Sequence, residues 1–357
     1  MKRPRKQARR GRRSKKAPLP RKKRLERRAT PPGFFESPPE MESVGSPAFA
    51  RHETFAPRFG WLKKGFDGAG SESKLFLLTD AHLRLGVGKN MARSIRYWCH
   101  ATGLLDERPI PGKRGTASTP SAFGTLLLGE NGWDPFLEDP ASLWLLHWKL
   151  VRYPTVAAFW HFAFTLLSEV EFSTDSLAAD TEAYFKGRLQ SDRVVYAAFE
   201  KDANCLVRMY ADAADSPEAF SEESIHSPFA DLGLIRRSAS SGARRSDRYR
   251  FEVGRKLSLP ASHVAASCLE FASRVAPGAQ TIALSRLLSD PGSPGMAFKL
   301  GESALIGYLE EAELLTKQLH FGDAGGLVQL SFDGRPSTLA TSLLAAYYAK
   351  VSKRAAA

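Results

Sequence analysis

The chain has 357 residues, 43% of them hydrophobic, and a net charge of +13, which allows two to three domains with real cores. Residues 1–30 hold sixteen Lys and Arg against one acid, Glu26, so the charge belongs to a tail and the rest of the chain is close to neutral. No run approaches the roughly eighteen apolar residues of a membrane helix, which argues against a membrane partner. Cys99, Cys205 and Cys268 are widely spaced, form no CxxC zinc pair and suit a reducing cytoplasm.

Residues 1–50 are expected to be a disordered tail, basic at first and then Pro-rich, without the apolar run of a secretory signal or an anchor. A block of this kind binds polyanions without reading sequence. Residues 51–132 form the first predicted domain. Phe76 to Leu85 predicts a short apolar helix that ends at Gly86, and a second helix opens near Gly88. In the second helix Met91, Ile95, Trp98 and Cys99 make one apolar stripe, while Lys89, Arg93, Arg96 and His100 fall opposite, with Asn90 in the first turn. A helix apolar behind and basic in front, entered by a tight turn, suits the DNA major groove; an ordinary solvated helix face carries the same pattern. The string GVGKN is not a phosphate-binding loop, because Leu83 and Asn90 stand where that motif needs Gly and Ser or Thr. After Gly103, two short apolar runs flank a Pro/Gly/Ser loop carrying Arg108, Lys113 and Arg114, the layout of a winged helix.

Residues 133–275 form the predicted central helical domain. Asp139-Pro140 supplies a cap and an N1 proline to a helix with Leu143, Leu146, His147 and Leu150. Trp144, Trp148, Phe159, Trp160, Phe162 and Phe164 predict an aromatic central layer. Asp134, Glu138 and Asp139 with His147 have the chemistry of a divalent metal site, and equally that of helix caps. Ser173-Thr174-Asp175 opens a helix to Arg188, and Asp192 opens another that runs to Tyr210. Beyond an acidic loop, Leu232 to Ile235 and Tyr249 to Val253 read as paired strands joined by a loop holding Arg236, Arg237, Arg244 and Arg245, a second basic hairpin able to grip phosphate. Residues 276–357 repeat the winged-helix order: a short helix from Ile282 to Leu288, a longer one from Glu302 to Leu315, and a hairpin turning at Asp323 to Gly326. Its second helix carries Glu302, Glu310, Glu311 and Glu313 and no base, so it would repel phosphate. The expected fold is mainly α with small β-hairpins, as tandem winged-helix or helix-turn-helix units around an aromatic helical core.

The segments HETFAPRFGWLKKG (52–65), LGVGKNMARSIRYW (85–98), DPFLEDPASLWLLHWKL (134–150), KDANCLVRMY (201–210) and SPFADLGLI (227–235) together resemble the bacterial family of unknown function numbered four thousand and seven. The likeness runs from residue 51 to about 350. It implies a component of a DNA phosphorothioation system, acting beside a cysteine desulfurase, an ATP-pyrophosphatase of the sulfurtransferase type and an ATPase, and in the single-stranded version of that system nicking DNA. Nicking would call for Mg or Mn held by carboxylates or His. The candidates inside the matching blocks are His52, Glu53, Asp134, Glu138, Asp139 and His147, although their spacing fits no metal signature and HETF is not an HExxH site. A winged-helix transcriptional regulator without catalysis and a protein scaffold are the competing functions.

Overall fold

The computed structural model describes residues 47–112, 115–154, 156–186, 188, 195–211, 227–238 and 248–355. Expectations for the basic tail, Lys113, Arg114, the helix start at Asp192, the acidic loop that follows Tyr210, and Arg244 and Arg245 lie outside these residues.

The first segment comprises α1 (Trp61–Ser71), a 3-10 turn (Leu75–Leu77), α2 (Ala81–Arg84), α3 (Lys89–Ala101) and an antiparallel hairpin of β1 (Leu105–Pro109) and β2 (Thr116–Pro120). The helix expected from Phe76 to Leu85 is thus two pieces. Leu78 is extended (ψ 143) and breaks it, which lets Leu75 on one side and Ala81 and Leu85 on the other bury in one small cluster with Ala92. α2 closes with a Schellman turn: Gly86 N–H donates to Leu83 O and Val87 N–H to His82 O, with Gly86 at φ 62 where a side chain would be strained. α1 packs closely on α3 because Gly65 has no side chain; a Cβ there would lie 2.5 Å from Cys99 Sγ.

α4 (Ala122–Leu128), α5 (Pro140–Val151) and α6 (Ala158–Thr165) form the centre. Asp139 caps α5 through the Ala141 N–H, with Pro140 in the first turn as expected. Trp144, Trp148, Phe159, Trp160, Phe162 and Phe164 are all buried, so the aromatic layer is real. Next come β3 (Glu171–Ser173), α7 (Thr174–Phe185), α8 (Tyr196–Tyr210), a 3-10 turn (Pro228–Leu232), β4 (Ile235–Ser238) and β5 (Arg248–Phe251), in a sheet ordered β3-β5-β4. The strand pair is found, but the first strand begins at Ile235, so Arg236 and Arg237 lie in β4 and not in the loop.

α9 (Ala261–Val275) leads to β6 (Thr281–Ala283), α10 (Leu284–Ser289), α11 (Pro294–Ala297), α12 (Glu302–Glu313), β7 (Leu319–Ala324) and β8 (Leu327–Phe332), with sheet order β6-β8-β7. The expected helix start at Ile282 is instead a strand, because Ile282 pairs with Leu330 across β8. α13 (Pro336–Ala355) then packs along α9. One hydrophobic core joins residues of all three sequence segments, from Phe49 to Tyr348. The fold is mainly helical with three small antiparallel sheets among the described residues.

Candidate nucleic-acid interface

α3 is seated by Ile95, Trp98 and Cys99, each fully buried, while Met91 is only partly covered. The opposite face divides in two. At the N-terminal end Lys89, Asn90 and Arg93 are exposed; Arg93 keeps 68% of its side-chain surface in solvent and, among the described residues, meets the Glu53 carboxylate at 3.7 Å. At the C-terminal end the basic groups are spent on structure. Arg96 donates to Glu107 Oε1 (2.7 Å) and Thr116 Oγ1 (2.8 Å), and the His100 ring bridges Leu105 O and Ser118 Oγ, so both tie α3 to the hairpin. Burial, opposed by Glu107, lowers the His100 pKa.

Gly88 caps α3 without a side-chain bond, so the first N–H groups of the helix and the positive end of its dipole stay open beside Lys89 and Asn90. Backbone donors, two cations and an amide on one exposed turn can bind phosphate and reach base edges.

A second basic surface lies on the middle sheet. Arg236 stands directly opposite Arg250 across β4 and β5, and both approach Glu252, at 3.9 and 3.3 Å. Like charges opposed across a sheet are unfavourable on their own, and a polyanion would relieve them. Arg237 lies over the Tyr249 ring, 5.8 Å from its centre.

Of the six residues considered for metal chemistry, all but Glu138 already have partners. His52 is fully buried, with Nε2 2.7 Å from Asp202 Oδ1 of α8, and the same carboxylate accepts the Ala50 N–H. Burial raises the Asp202 pKa against the opposing pull of His52. Glu53 has a left-handed backbone (φ 51) and faces Arg93. Asp134 accepts from Glu138 N–H (2.9 Å), Asp139 N–H (3.0 Å) and the Ser142 hydroxyl (2.6 Å), which engages both its oxygens. The Asp139 carboxylate caps α5 and accepts from the Tyr347 hydroxyl, whereas Glu138 is simply exposed. His147 has both ring nitrogens engaged, with the Tyr210 hydroxyl and Ala297 O, and burial pushes its pKa down to about 3. Among the described residues no three His, Cys, Asp or Glu side chains converge as a metal site would require. The sequence reading missed Asp202, which shares the buried face of α8 with Phe199, Cys205 and Leu206; an acid at that position was the signal for a buried partner.

Residues 49–348 match the family model described as "Protein of unknown function (DUF4007)". The chain belongs to this family. Two solved structures resemble the DUF4007 chain over most of its length: a magnesium ion-bound SspB crystal structure, 36% identical with a TM-score of 0.79, and another SspB crystal structure, 35% identical with a TM-score of 0.78. Each match covers 85% of this chain and 88% of the other. No curated protein matches it significantly. Magnesium is bound in one of those SspB structures; the residues weighed above do not fit such an ion here, because no three of them converge and both oxygens of Asp134 already accept donors. No helix of the described residues is long and apolar enough to cross a membrane.

Proposed function

We propose that this chain is the DNA-binding component of an SspB-like phosphorothioation system and holds DNA for sister enzymes. The reading is carried by one observation: the exposed, uncapped first turn of α3, with Lys89, Asn90 and Arg93 on the face away from Ile95, Trp98 and Cys99. The element order from α1 to β2 agrees with a winged helix, α3 taking the recognition position and the β1-β2 hairpin the wing, with Arg108 exposed on β1. Lys113 and Arg114 of the wing loop, and Arg236, Arg237, Arg244 and Arg245 of the middle segment, are proposed as further phosphate contacts. The family match and the SspB likeness support the system, with a cysteine desulfurase, a sulfurtransferase-type ATP-pyrophosphatase and an ATPase as proposed partners in the cytoplasm.

A titration of labelled duplex DNA tests this. Lys89→Ala combined with Arg93→Ala is expected to weaken binding at unchanged melting temperature, and each lost phosphate contact lowers the slope of log K against log salt by roughly one. Unchanged affinity and slope would make the turn ordinary surface.

A further inference from the structure

A groove of about 610 Å³ lies between α1, the 3-10 turn and α2. Leu75 and Leu85, both buried, belong to its lining, and Gly68 lets Leu75 pack close against α1, since a Cβ there would lie 2.6 Å from a Leu75 methyl. Phe136, from the loop between α4 and α5, lines the groove with 71% of its surface in solvent. The Lys63 ammonium sits 5.5 Å from the centre of its ring. Phe136 is the most exposed aromatic ring among the described residues, and it stands beside an apolar floor rather than alone on the surface.

The polar groups of the groove are mixed and largely paired in advance. Lys63 donates to Asp67 (2.7 Å), Arg84 to Glu72 (3.2 Å), and Lys64 is exposed with no partner among the described residues. Such neutralised pairs make a poor trap for a bare ion. They offer donors and acceptors side by side, as the edge of a flat heteroaromatic ring requires, while Phe136 offers a stacking face and Lys64 a contact for an attached phosphate. The groove also adjoins the proposed DNA face in sequence and space, because Arg84 and Leu85, two of its lining residues, lead directly into the Gly86 turn and α3.

We infer that this groove receives one unpaired nucleobase of DNA held on α3, stacked on Phe136. The inference rests on the DNA reading above. It makes the chain selective for DNA in which a base is free or has been extruded, since extrusion costs least where pairing is already lost.

The test uses the full chain and two duplexes that differ at one position, a 2-aminopurine that is paired in one and unpaired in the other. Wild type is expected to bind the unpaired duplex more tightly and to change its 2-aminopurine fluorescence. Phe136→Ala should weaken that duplex about tenfold, abolish the fluorescence response and leave the paired duplex unchanged, while Phe136→Trp keeps all three properties. Lys89→Ala with Arg93→Ala should weaken both duplexes alike. If Phe136→Ala changes neither duplex, or both equally, the inference is overturned while the DNA reading stands, and a side chain of a protein partner becomes the better occupant. Failure of wild type to bind either duplex overturns both.

Discussion

Among the described residues the same turn joins one helix to the next in two places, and the two copies are used differently. α2 passes to α3 through Leu85-Gly86-Val87-Gly88, and α11 passes to α12 through Phe298-Lys299-Leu300-Gly301. In both, the first residue after the cap is left-handed, Gly86 at φ 62 and Lys299 at φ 51. Each donates to the carbonyl three residues back, and the following residue to the carbonyl five back: Gly86 to Leu83 and Val87 to His82, Lys299 to Met296 and Leu300 to Gly295. Each helix then opens on a glycine without a side-chain cap, Gly88 and Gly301. Beyond this point the copies diverge. α3 presents Lys89, Asn90 and Arg93; α12 presents Glu302, Glu310 and Glu311, and Arg255 reaches from before α9 to pair with Glu311 at 2.7 Å. Backbone geometry is therefore no guide to the ligand, and the side chains on the open turn decide which copy can meet a polyanion.

If the two helices are seated alike, the largest effects should be equal and unrelated to DNA. Ile95 and Leu309 are both fully buried, and Ile95→Ala and Leu309→Ala should each cost about 2–5 kcal/mol in denaturant unfolding. A much smaller loss at Leu309 would mean that α12 is only loosely held.

The turn residues should differ in sign. Lys299 is buried, its ammonium 4.1 Å from the centre of the Phe251 ring, and burial lowers its pKa to about 7. The unfolded chain binds that proton up to the ordinary value of 10.5, so the contribution of this group to stability is fully present above pH 10.5 and lost as pH falls to 7. Lys299→Met should then stabilise by roughly 3 kcal/mol near pH 7 and by little above pH 10.5, as read from unfolding at several pH values. Gly86→Ala should destabilise by about 1–2 kcal/mol at every pH, because nothing crowds the new Cβ and the whole cost is the left-handed backbone. A pH-independent effect at Lys299 would show that its ammonium is not desolvated.

How much of this was legible in the sequence follows from the range of the interactions. The stripe of Ile95, Trp98 and Cys99, the Asp139-Pro140 start and the aromatic layer were readable because each depends on neighbours within a turn or two. The division of the polar face of α3 was not, since Arg96 and His100 look as free as Arg93 until the hairpin folds back and offers Glu107, Thr116 and Ser118. His52, Asp134 and His147 resembled site residues for a similar reason. Their partners lie at Asp202, at the Ser142 hydroxyl and backbone amides, and at Tyr210 and Ala297, and polar groups satisfied in this way belong to the core. α13 was missed because its Leu339, Leu343 and Leu344 stripe follows a hairpin that already completed a recognisable unit.

The smallest effects concern surface pairs. Arg96→Ala at the front and Arg255→Ala at the back each break a partly exposed ion pair and should cost under about 1 kcal/mol, with the melting shift shrinking in high salt. A larger loss at Arg96 would show that the hairpin needs this tie to stay on α3.

The contrast between the two helices is tested most directly by placing one photo-crosslinking residue at Asn90 and, in a separate protein, at Glu310, and irradiating each with labelled duplex DNA. Crosslinking is expected from position 90 and not from 310; crosslinking from 310 with none from 90 would contradict the assignment of α3 as the DNA-facing helix.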